Sequence, residues 1–255
     1  MTAPLAVRLG WQKGPDDPRT LRLESYTTPD LPAPPAAADW MKKAETWPVL
    51  GNDRISDCVF VSCAHLVQGW TTYASASPAL IPQRDVVSAY SAVTGYDPRT
   101  GANDDGTRSI DALNYWRKTG IGGHKIVAYV KVDHRNDEAV RSAAHLFGGL
   151  YIAAQLPRTA QTQFEQRKTW TPTGGSSGRR GSWGGHAMRM GAYGRSGFTV
   201  STWGRAQRAT WLWWDTYVAE AFAIVSTDWL ESVGGSNPLG FDLDSMLADL
   251  RRITI

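Results

Sequence analysis

The segment of residues 58–67 places the strongest constraint on the fold of this chain. Its residues are almost all apolar, and the apolar character continues toward Tyr73. A run that is apolar on every side and longer than a typical strand predicts a buried helix. Asp57 is a suitable N-cap, which predicts that Cys58 is the first residue of this helix. The rest of the chain is then expected to pack around a central helix.

Further helices and strands follow in the sequence. Apolar periodicity predicts helices over 84–93, 109–119 and 137–147. Alternating or short apolar runs predict strands over 125–132, 150–155, 186–192, 197–203 and 219–225. Because the helices precede most of the strands, the pattern indicates an α+β fold.

The same pattern divides the chain into four regions. We expect an extended N-terminal arm over residues 1–45, which contains a proline-rich stretch, and a helical lobe with the nucleophile helix over 46–140. A β-sheet lobe over 141–230 and a C-terminal tail with a short helix over 231–255 complete the division. We expect the arm to wrap the body of the protein or to lead into it.

Charge and hydropathy exclude several classes of partner. The 255 residues carry a net charge of +3, and acidic and basic residues are nearly balanced, so nothing in the sequence calls for a nucleic-acid partner. No segment has the length of a membrane span, and the N-terminus lacks the pattern of a secretion signal. We therefore expect a soluble, cytoplasmic protein without a membrane partner.

The cysteines and acidic residues do not form a recognisable metal site. Cys58 and Cys63 are five residues apart on one helix, which directs their side chains away from each other and argues against a disulfide. Together with His65 they do not match a zinc-binding spacing. The acidic loop over 97–105 lacks the spacing of an EF-hand. We expect no metal and no other cofactor.

Cys58 and His186 are the best candidates for chemistry. A cysteine at a helix N-terminus has its thiolate favoured by the helix dipole, and it needs a nearby base to act as a nucleophile. His65 lies two helical turns from Cys58, roughly 10 Å along the axis, and is better explained as a packed core residue. His186 follows two glycines and opens a predicted strand, where a side chain can face a cleft. The alternative for Cys58 is a buried structural cysteine.

Several motifs, in the same order, resemble those of the papain superfamily of cysteine peptidases. Asn52 stands six residues before Cys58, where the family has a glutamine of the oxyanion hole. The segment His186-Ala187-Met188 resembles the family's His-Ala-Val strand start. The segment Ser201-Thr202-Trp203-Gly204 resembles Asn-Ser-Trp-Gly, whose Asn orients the histidine and whose Trp covers that hydrogen bond. The resemblance spans most of the chain and is closest to a divergent bacterial or phage branch.

The resemblance implies a two-lobed papain-like fold, with a helical lobe, an antiparallel β-sheet lobe and a cleft between them. It implies hydrolysis of peptide bonds in a peptide or protein substrate, with Cys58 as nucleophile and His186 as base. Asn52 would help form the oxyanion hole, Ser201 would orient His186 and Trp203 would shield it. Asn52 and Ser201 both depart from the family's residues. Loss of a true orienting group costs on the order of 10⁴ in turnover in trypsin-like enzymes, so these departures predict a weak or inactive site.

Two other functions fit the sequence. One is a non-catalytic structural protein, such as a subunit of a phage particle or other large assembly, which would place the chain in a virion with a protein assembly as its partner. The other is an amidase that acts on peptidoglycan. The aromatic cluster of Trp211, Trp213 and Trp214 is either a platform for a carbohydrate or partner, or part of the core.

Overall fold

The structure is a computed structural model that describes residues 7–74, 78–232 and 240–253. Part of the predicted arm, residues 1–6, and part of the predicted tail, residues 233–239 and 254–255, lie outside the described residues. None of the described helices has the length and apolar character needed to cross a membrane.

The described residues form eight α-helices. These are α1 (Cys58–Ala74), α2 (Gln83–Thr94), α3 (Ser109–Lys118), α4 (Asp137–Leu146), α5 (Arg158–Glu165), α6 (Trp211–Tyr217), α7 (Thr227–Ser232) and α8 (Leu243–Arg252). The longest of them is α1, and it begins at Cys58, as the apolar run predicts. Short 3₁₀ turns occur at Leu23–Ser25 and Ser176–Gly178.

Seven strands form one antiparallel sheet. They are β1 (Ala38–Asp39), β2 (Ala128–Lys131), β3 (Leu150–Leu156), β4 (Gly184–Gly194), β5 (Gly197–Thr202), β6 (Arg205–Thr210) and β7 (Val218–Val225). The order across the sheet is β2-β7-β3-β4-β5-β6, and the short β1 pairs with β4. The predicted α+β class, with a helical part and an antiparallel sheet, is confirmed.

The sheet separates two hydrophobic clusters. In β3, Ile152 and Ala154 face the cluster that contains α4 and α6, whereas Tyr151 and Ala153 face the cluster around α1, α2 and α3. This follows from the strand geometry, because successive side chains point to opposite faces of a sheet. Since both faces are covered, β3 is apolar without strict alternation.

Five elements are absent from the sequence-based expectation: β1, α5, β6, α6 and α7. Strand β6 is mostly polar, and only Gln207 and Ala209 are buried in it. Helix α6 contains the aromatic cluster, and Trp213 and Trp214 are fully buried in the core. The platform interpretation is therefore wrong for these two residues, which pack the helix against the sheet.

The described part of the N-terminal arm packs along the body of the protein. Trp11, Leu23 and Tyr26 are buried in the two clusters. Further along, β1 adds to the sheet through Ala38 and Asp39. These contacts fix the arm from residue 7 onward, and they bring its first described residues to the candidate site.

Candidate active site

Cys58 lies at the first position of α1, against the strand that carries His186. Its Sγ accepts a hydrogen bond from the backbone N–H of Ala187 at 3.4 Å. The backbone carbonyl of Asp57 accepts from the amides of Phe60 and Val61, which starts the helix one residue before Cys58. The helix N-terminus and the Ala187 amide thus both direct partial positive charge at the sulfur.

One ring nitrogen of His186 is hydrogen-bonded, and one face of its ring is covered by an aromatic side chain. Its Nε2 lies 2.7 Å from Oγ1 of Thr202, at the end of β5. The indole of Trp203 stacks on the imidazole with ring centroids 4.1 Å apart and planes 17° apart. The other nitrogen, Nδ1, has no hydrogen-bond partner among the described residues. Across the sheet His186 pairs with the small residue Ala154, which leaves room for the ring.

The side chain of Ser201 is hydrogen-bonded to His65 and not to His186, which corrects the expected orienting contact. Its Oγ lies 3.0 Å from Nδ1 of His65. The Nε2 of His65 lies 2.8 Å from the carbonyl of Pro48, and a carbonyl only accepts, so Nε2 carries the proton and Nδ1 accepts from Ser201. Because adjacent strand residues face opposite sides of a sheet, Thr202 reaches His186 where Ser201 cannot.

Asn52 lies in the loop before α1, buried and engaged with its own loop. Its Nδ2 donates to the carbonyl of Ile55 at 2.9 Å, and its backbone carbonyl accepts from the amide of Arg8. The amide side chain is therefore close to the start of α1 but occupied by a local hydrogen bond.

Asp57 does not cap α1 with its side chain, contrary to the expectation. Its carboxyl is fully buried, and neither oxygen has a hydrogen-bond partner within the described part of the chain. Burial raises the pKa of Asp57 well above its usual value, and the residue's own amide and the nearby Asn52 side chain oppose this by less. Burial thus disfavours the ionised form of the carboxyl group at the N-terminus of α1.

Replacing Asp57 with Asn should make stability less dependent on pH. Because the folded-state pKa of Asp57 is raised, the stability that this carboxyl contributes is fully present below about pH 4, the usual range for an unfolded Asp, and is lost as the pH rises toward the folded pKa. The loss is about 1.4 kcal/mol per pH unit over that interval. Denaturant unfolding at several pH values should show that the free energy of unfolding of Asp57→Asn, relative to that of the wild type, increases as the pH rises.

The half-exposed neighbour Asp53 provides the control for this prediction. Asp53→Asn should change stability little at any of these pH values, since its side chain is 43% exposed and loses little on substitution. A constant difference between Asp57→Asn and the wild type across the pH range would show that Asp57 does not titrate on unfolding.

The N-terminal arm crosses directly over Cys58 and His186. The amides of Gly10 and Trp11 both donate to the carbonyl of Gly185, the residue before His186. On the other side Gly10 accepts from the amide of Thr107, and the indole N–H of Trp203 donates to the carbonyl of Arg8 at 3.1 Å. With the arm in place both Cys58 and His186 are 1% exposed. The cleft is closed by a segment of the same chain.

The closed cleft leaves almost no space beside Gly10. A Cβ added there would lie 1.9 Å from the carbonyl oxygen of Ser56. On the opposite wall a Cβ on Gly106 would lie 2.0 Å from the carbonyl oxygen of Gly10. Glycine at these two positions therefore permits the arm to approach the backbone on both sides of the cleft.

At Gly10 and Trp11, the arm points backbone amides, and not a carbonyl, toward the Cys58 sulfur. Burial raises the pKa of the Cys58 thiol to about 12, and the amides of Ala187, Gly10 and Trp11 act in the opposite, smaller direction. The carbonyl of Gly10 is turned away, toward Thr107. Burial also lowers the pKa of His186 to about 3. With the arm in place, the two side chains are therefore a neutral thiol and a neutral imidazole near pH 7.

The loop over 104–107 is fixed to the loop before α1 through Asp104. Its Oδ1 accepts from the backbone amide of Ser56 at 2.8 Å and from the hydroxyl of Tyr90 at 3.0 Å. That hydroxyl in turn accepts from the amide of Gly106 at 2.9 Å. Asp104 thus aligns the two walls that hold Gly10, which is a structural use for the acidic loop.

Sequence reasoning missed Thr202, Gly10 and Trp11. Thr202 lies inside the motif that indicated Ser201. The two residues differ in which face of the sheet their side chains point to. The arm contacts had one weak signal, a glycine beside a tryptophan in a segment with otherwise extended character. That signal does not say where in the fold such a segment binds.

No family model matches this chain, and no curated protein matches it. Its fold, however, is similar to solved structures of cysteine proteases. Xylellain, a cysteine protease from Xylella fastidiosa, has a TM-score of 0.64 at 13% identity, covering 89% of this chain and 99% of that one. Digestive procathepsin L 3 of Tenebrio molitor has a TM-score of 0.58 at 13% identity, covering 87% of this chain and 77% of that one.

A plant enzyme extends the similarity. The cysteine protease CMS1MS2 of Carica candamarcensis has a TM-score of 0.52 at 16% identity, covering 75% of this chain and 99% of that one. At such identities the similarity establishes the architecture, which is the one that the sequence motifs imply. The chain has the papain-like fold.

Proposed function

We propose that this protein is a papain-like cysteine peptidase that its own N-terminal arm holds in a latent state. The supporting observation is the arrangement around two side chains. The Cys58 sulfur stands at the N-terminus of α1 against the Ala187 amide, and His186 has one nitrogen held by Thr202 and the other without a partner. The Cys58 sulfur and His186 Nδ1 are not hydrogen-bonded to each other in the closed state, and we propose that they form a thiolate–imidazolium pair once water enters.

The proposed reaction is hydrolysis of a peptide bond in two steps. The Cys58 thiolate attacks the carbonyl carbon, and the imidazolium of His186 gives its proton to the leaving amine, which yields an acyl-enzyme. His186 then takes a proton from water, whose oxygen attacks the thioester and releases the acid. The Cys58 amide and, after a local change at its bond to Ile55, the Asn52 side chain are the proposed oxyanion donors.

Closure by the arm accounts for the buried, neutral state of the two groups. While the arm covers them, burial disfavours both the thiolate and the imidazolium. Displacement of the arm would admit water and substrate together, and it would remove the largest cause of both pKa shifts. Latency thus follows from the same contacts that close the cleft.

The function is tested by comparing the wild type with Gly10→Val, a variant in which the added side chain displaces the arm (the arm-displaced protein). Each is incubated with a broad library of unstructured peptides, and cleavage is followed by mass spectrometry. We expect cleavage by the arm-displaced protein and little by the wild type. If neither protein cleaves any peptide while both remain folded, the peptidase proposal fails.

That failure would favour the structural alternative, which the full burial of Cys58 also supports. In that case the chain is a non-catalytic subunit of a phage particle or another assembly, with the arm as part of an interface and the virion as its location. An amidase acting on peptidoglycan is distinguished by adding peptidoglycan fragments to the same assay. For the peptidase we propose a cytoplasmic location and a peptide or protein substrate.

Thr202 should be the residue that orients His186. Replacing Thr202 with Val keeps the shape but removes the acceptor for the His186 N–H. In the arm-displaced protein we expect turnover to fall about 100-fold, less than the ~10⁴ seen when an orienting carboxylate is lost, because a hydroxyl is a weaker acceptor. Since the imidazolium loses a partner, the pH profile of kcat/KM should also change, which simple loss of packing would not cause.

Ser201→Ala is the matched control, one residue away on the same strand. It removes the hydrogen bond to His65 and not the bond to His186. We expect a loss of stability of about 1 kcal/mol with turnover nearly unchanged. The reverse pattern, with turnover sensitive to Ser201 and insensitive to Thr202, would restore the orienting role that the sequence motif assigned to Ser201.

A further inference from the structure

A groove crosses a solvent-facing part of the sheet at β4, β5 and β6. Its floor includes Ala192, Thr199 and Arg208, which are direct neighbours on the three strands. Its volume of about 560 Å³ is in the range of ligand-binding clefts. Ala192 is six residues along β4 from His186, roughly 20 Å away, and neither His186 nor Cys58 lines the groove. The groove is therefore distinct from the candidate catalytic pair.

The residues around this groove are mostly basic. Its walls are formed by residues 39–47, before α1, and residues 167–169, after α5. Two of the lining residues are acidic, Asp39 and Glu45, and five are basic. The basic residues are Lys42, Arg167, Lys168, Arg205 and Arg208. We call this feature the basic groove, and its excess of positive charge is as large as the net charge of +3 on the whole chain.

The positive charge of the basic groove is not compensated within the protein. None of its five basic residues forms an ion pair with a described residue. Of its two acidic residues, Asp39 has one carboxylate oxygen occupied by the backbone amides of Met41 and Lys42, within the wall itself. Basic side chains elsewhere on the described surface are ion-paired, namely Arg19, Arg22, Arg54, Arg84, Arg99, Arg108, Lys131 and Arg252.

A further positive charge lies behind one wall of the groove. Arg189 is fully buried, and its guanidinium lies over the ring of Trp47, a lining residue, at 5.0 Å from the centroid. Its Nη2 donates to the uncharged carbonyls of Trp40 and Gly148, and its other nitrogens have no hydrogen-bond partner among the described residues. Burial lowers the pKa of Arg189 to about 10, which leaves it charged near pH 7. This charge adds to the positive potential of the groove.

Arg167 occupies a backbone position that favours glycine. Its φ is 57°, directly after α5, where the amide of Lys168 donates to the carbonyl of Gln163. Helices often end with glycine in this left-handed conformation, because a residue with a Cβ is strained there. Since Arg167 is exposed, packing does not offset that strain. Strained backbone of this kind is typical of functional sites.

The wall that carries Arg167 and Lys168 is fixed in place by β6. The side-chain amide of Gln207 donates to the carbonyl of Lys168 at 2.8 Å. The backbone of Trp170 accepts from the amide of Thr210 and donates to the carbonyl of residue 208, which occupies the outer edge of β6 there. A ligand therefore cannot extend the sheet at this edge. It must lie on the face of the sheet and bind through its side chains.

The lining of the groove favours a peptide over a nucleic acid. Single-stranded nucleic acids are usually held by exposed aromatic side chains on which the bases stack. Of the residues that line the groove only Trp47 is aromatic, and it is 3% exposed. The floor carries small side chains at Ala192, Thr199 and Ala206, which leaves room for an extended backbone. Alternate side chains of an extended peptide are about 7 Å apart on one side, so acidic residues at alternate positions can follow the groove.

We propose that the basic groove docks an extended acidic segment of a partner protein. Its Asp and Glu carboxylates would pair with Lys42 on one wall, Arg167 and Lys168 on the other, and Arg208 on the floor. The inference goes beyond the proposed peptidase function and does not depend on it. The groove lies outside the cleft and is open while the arm covers Cys58.

Direct binding to the full chain, with the arm in place, tests this proposal. The probe is a fluorescent twelve-residue peptide of alternating Glu and Ser, followed by anisotropy. A peptide of alternating Lys and Ser and an oligothymidylate of the same length are the comparisons, and Cys58→Ala ensures that no peptide is cleaved. At about 50 mM salt we expect the Glu-Ser peptide to bind at least about tenfold more tightly than the Lys-Ser peptide, and less tightly as salt is added.

Reversal of two charges in the groove should weaken this binding. Lys168→Glu combined with Arg208→Glu replaces attraction by repulsion, so we expect at least about a tenfold loss of affinity for the Glu-Ser peptide. Arg84→Glu combined with Lys125→Glu is the matched control, since it changes the net charge equally at two exposed positions outside the groove. The control should stay within about twofold of the parent protein. Melting temperatures report whether both double variants remain folded.

Arg167→Gly separates binding from stability. It removes one basic side chain and relieves the strained backbone, so we expect about a threefold loss of affinity together with a melting temperature about 2–4 °C higher. A residue with a purely structural role would not show a loss of binding together with a gain of stability.

Four results would overturn the proposal. The Glu-Ser peptide could fail to bind, or bind no more tightly than the Lys-Ser peptide. The Lys168→Glu and Arg208→Glu pair could leave its affinity unchanged, or the control pair could weaken it equally, which would show a response to net charge alone. Tighter binding of the oligothymidylate than of the Glu-Ser peptide, lost in the groove variant, would make the groove a nucleic-acid site and the proposed class of partner wrong.

Discussion

Replacing Cys58 with Ala in the arm-displaced protein is expected to abolish peptide hydrolysis. Removal of a covalent nucleophile costs several orders of magnitude in rate, and no neighbouring group can form the same acyl intermediate. The fold should tolerate the change, because truncation of a thiol to a methyl removes few contacts and should alter stability by about 1 kcal/mol. The measurement is the initial rate of cleavage of the best library peptide, with denaturant unfolding alongside.

Cys63→Ala is a matched control for this prediction. Cys63 lies on the same helix and is fully buried, and its thiol donates to the carbonyl of Val59. Its replacement should cost a similar amount of stability and leave the cleavage rate within about twofold, because it removes packing alone. Equal residual activity in the two variants would mean that hydrolysis does not pass through Cys58.

Replacing Gly10 with Val is expected to expose Cys58 to alkylation. The added Cβ would lie 1.9 Å from the Ser56 carbonyl oxygen, and this neighbour is backbone of the loop before α1, so the arm must move instead. Since Cys58 is 1% exposed in the closed structure, release should raise its reaction rate with iodoacetamide by on the order of 100-fold. Peptide mapping assigns the label, and the buried Cys63 serves as the internal reference.

Gly14→Ala tests whether the effect is specific to the cleft. Gly14 lies in the same arm, but the three atoms nearest to an added Cβ all belong to the flexible side chain of Arg108, the closest at 2.5 Å. We expect Cys58 in this variant to react as slowly as in the wild type. Fast labelling of Cys58 in both variants, or of Cys58 and Cys63 together, would indicate general unfolding and not opening of the cleft.

The local structure around Cys58 and His186 follows from short, local sequence motifs. The apolar run that starts at Cys58 predicts a buried helix from its composition alone, and the structure places Cys58 at the first position. The two glycines before His186 predict a loop-to-strand junction, and β4 carries His186 near its start. In both places neighbouring residues decide the local structure, so no tertiary information was needed.

The choice between Ser201 and Thr202 was made by the tertiary structure. Spacing from Trp203 favours Ser201, and the two hydroxyls are chemically similar. Which of them meets His186 depends on the facing of β5 and on Trp203, whose φ of 42° is in the left-handed region that few such residues adopt. Sequence periodicity does not predict this backbone conformation, so the motif indicated Ser201 and not its neighbour Thr202.

The sequence by itself thus determined the fold class, the central helix and the two residues proposed for chemistry, because these depend on local composition and on short spacings. The tertiary structure decided that the arm closes the cleft, with Gly10 against Ser56 and Trp11 on Ser109 and Glu220. These contacts join residues about 40 to more than 200 positions apart in the sequence. They depend on shape and on matched donors and acceptors, which form only when the folded surfaces meet.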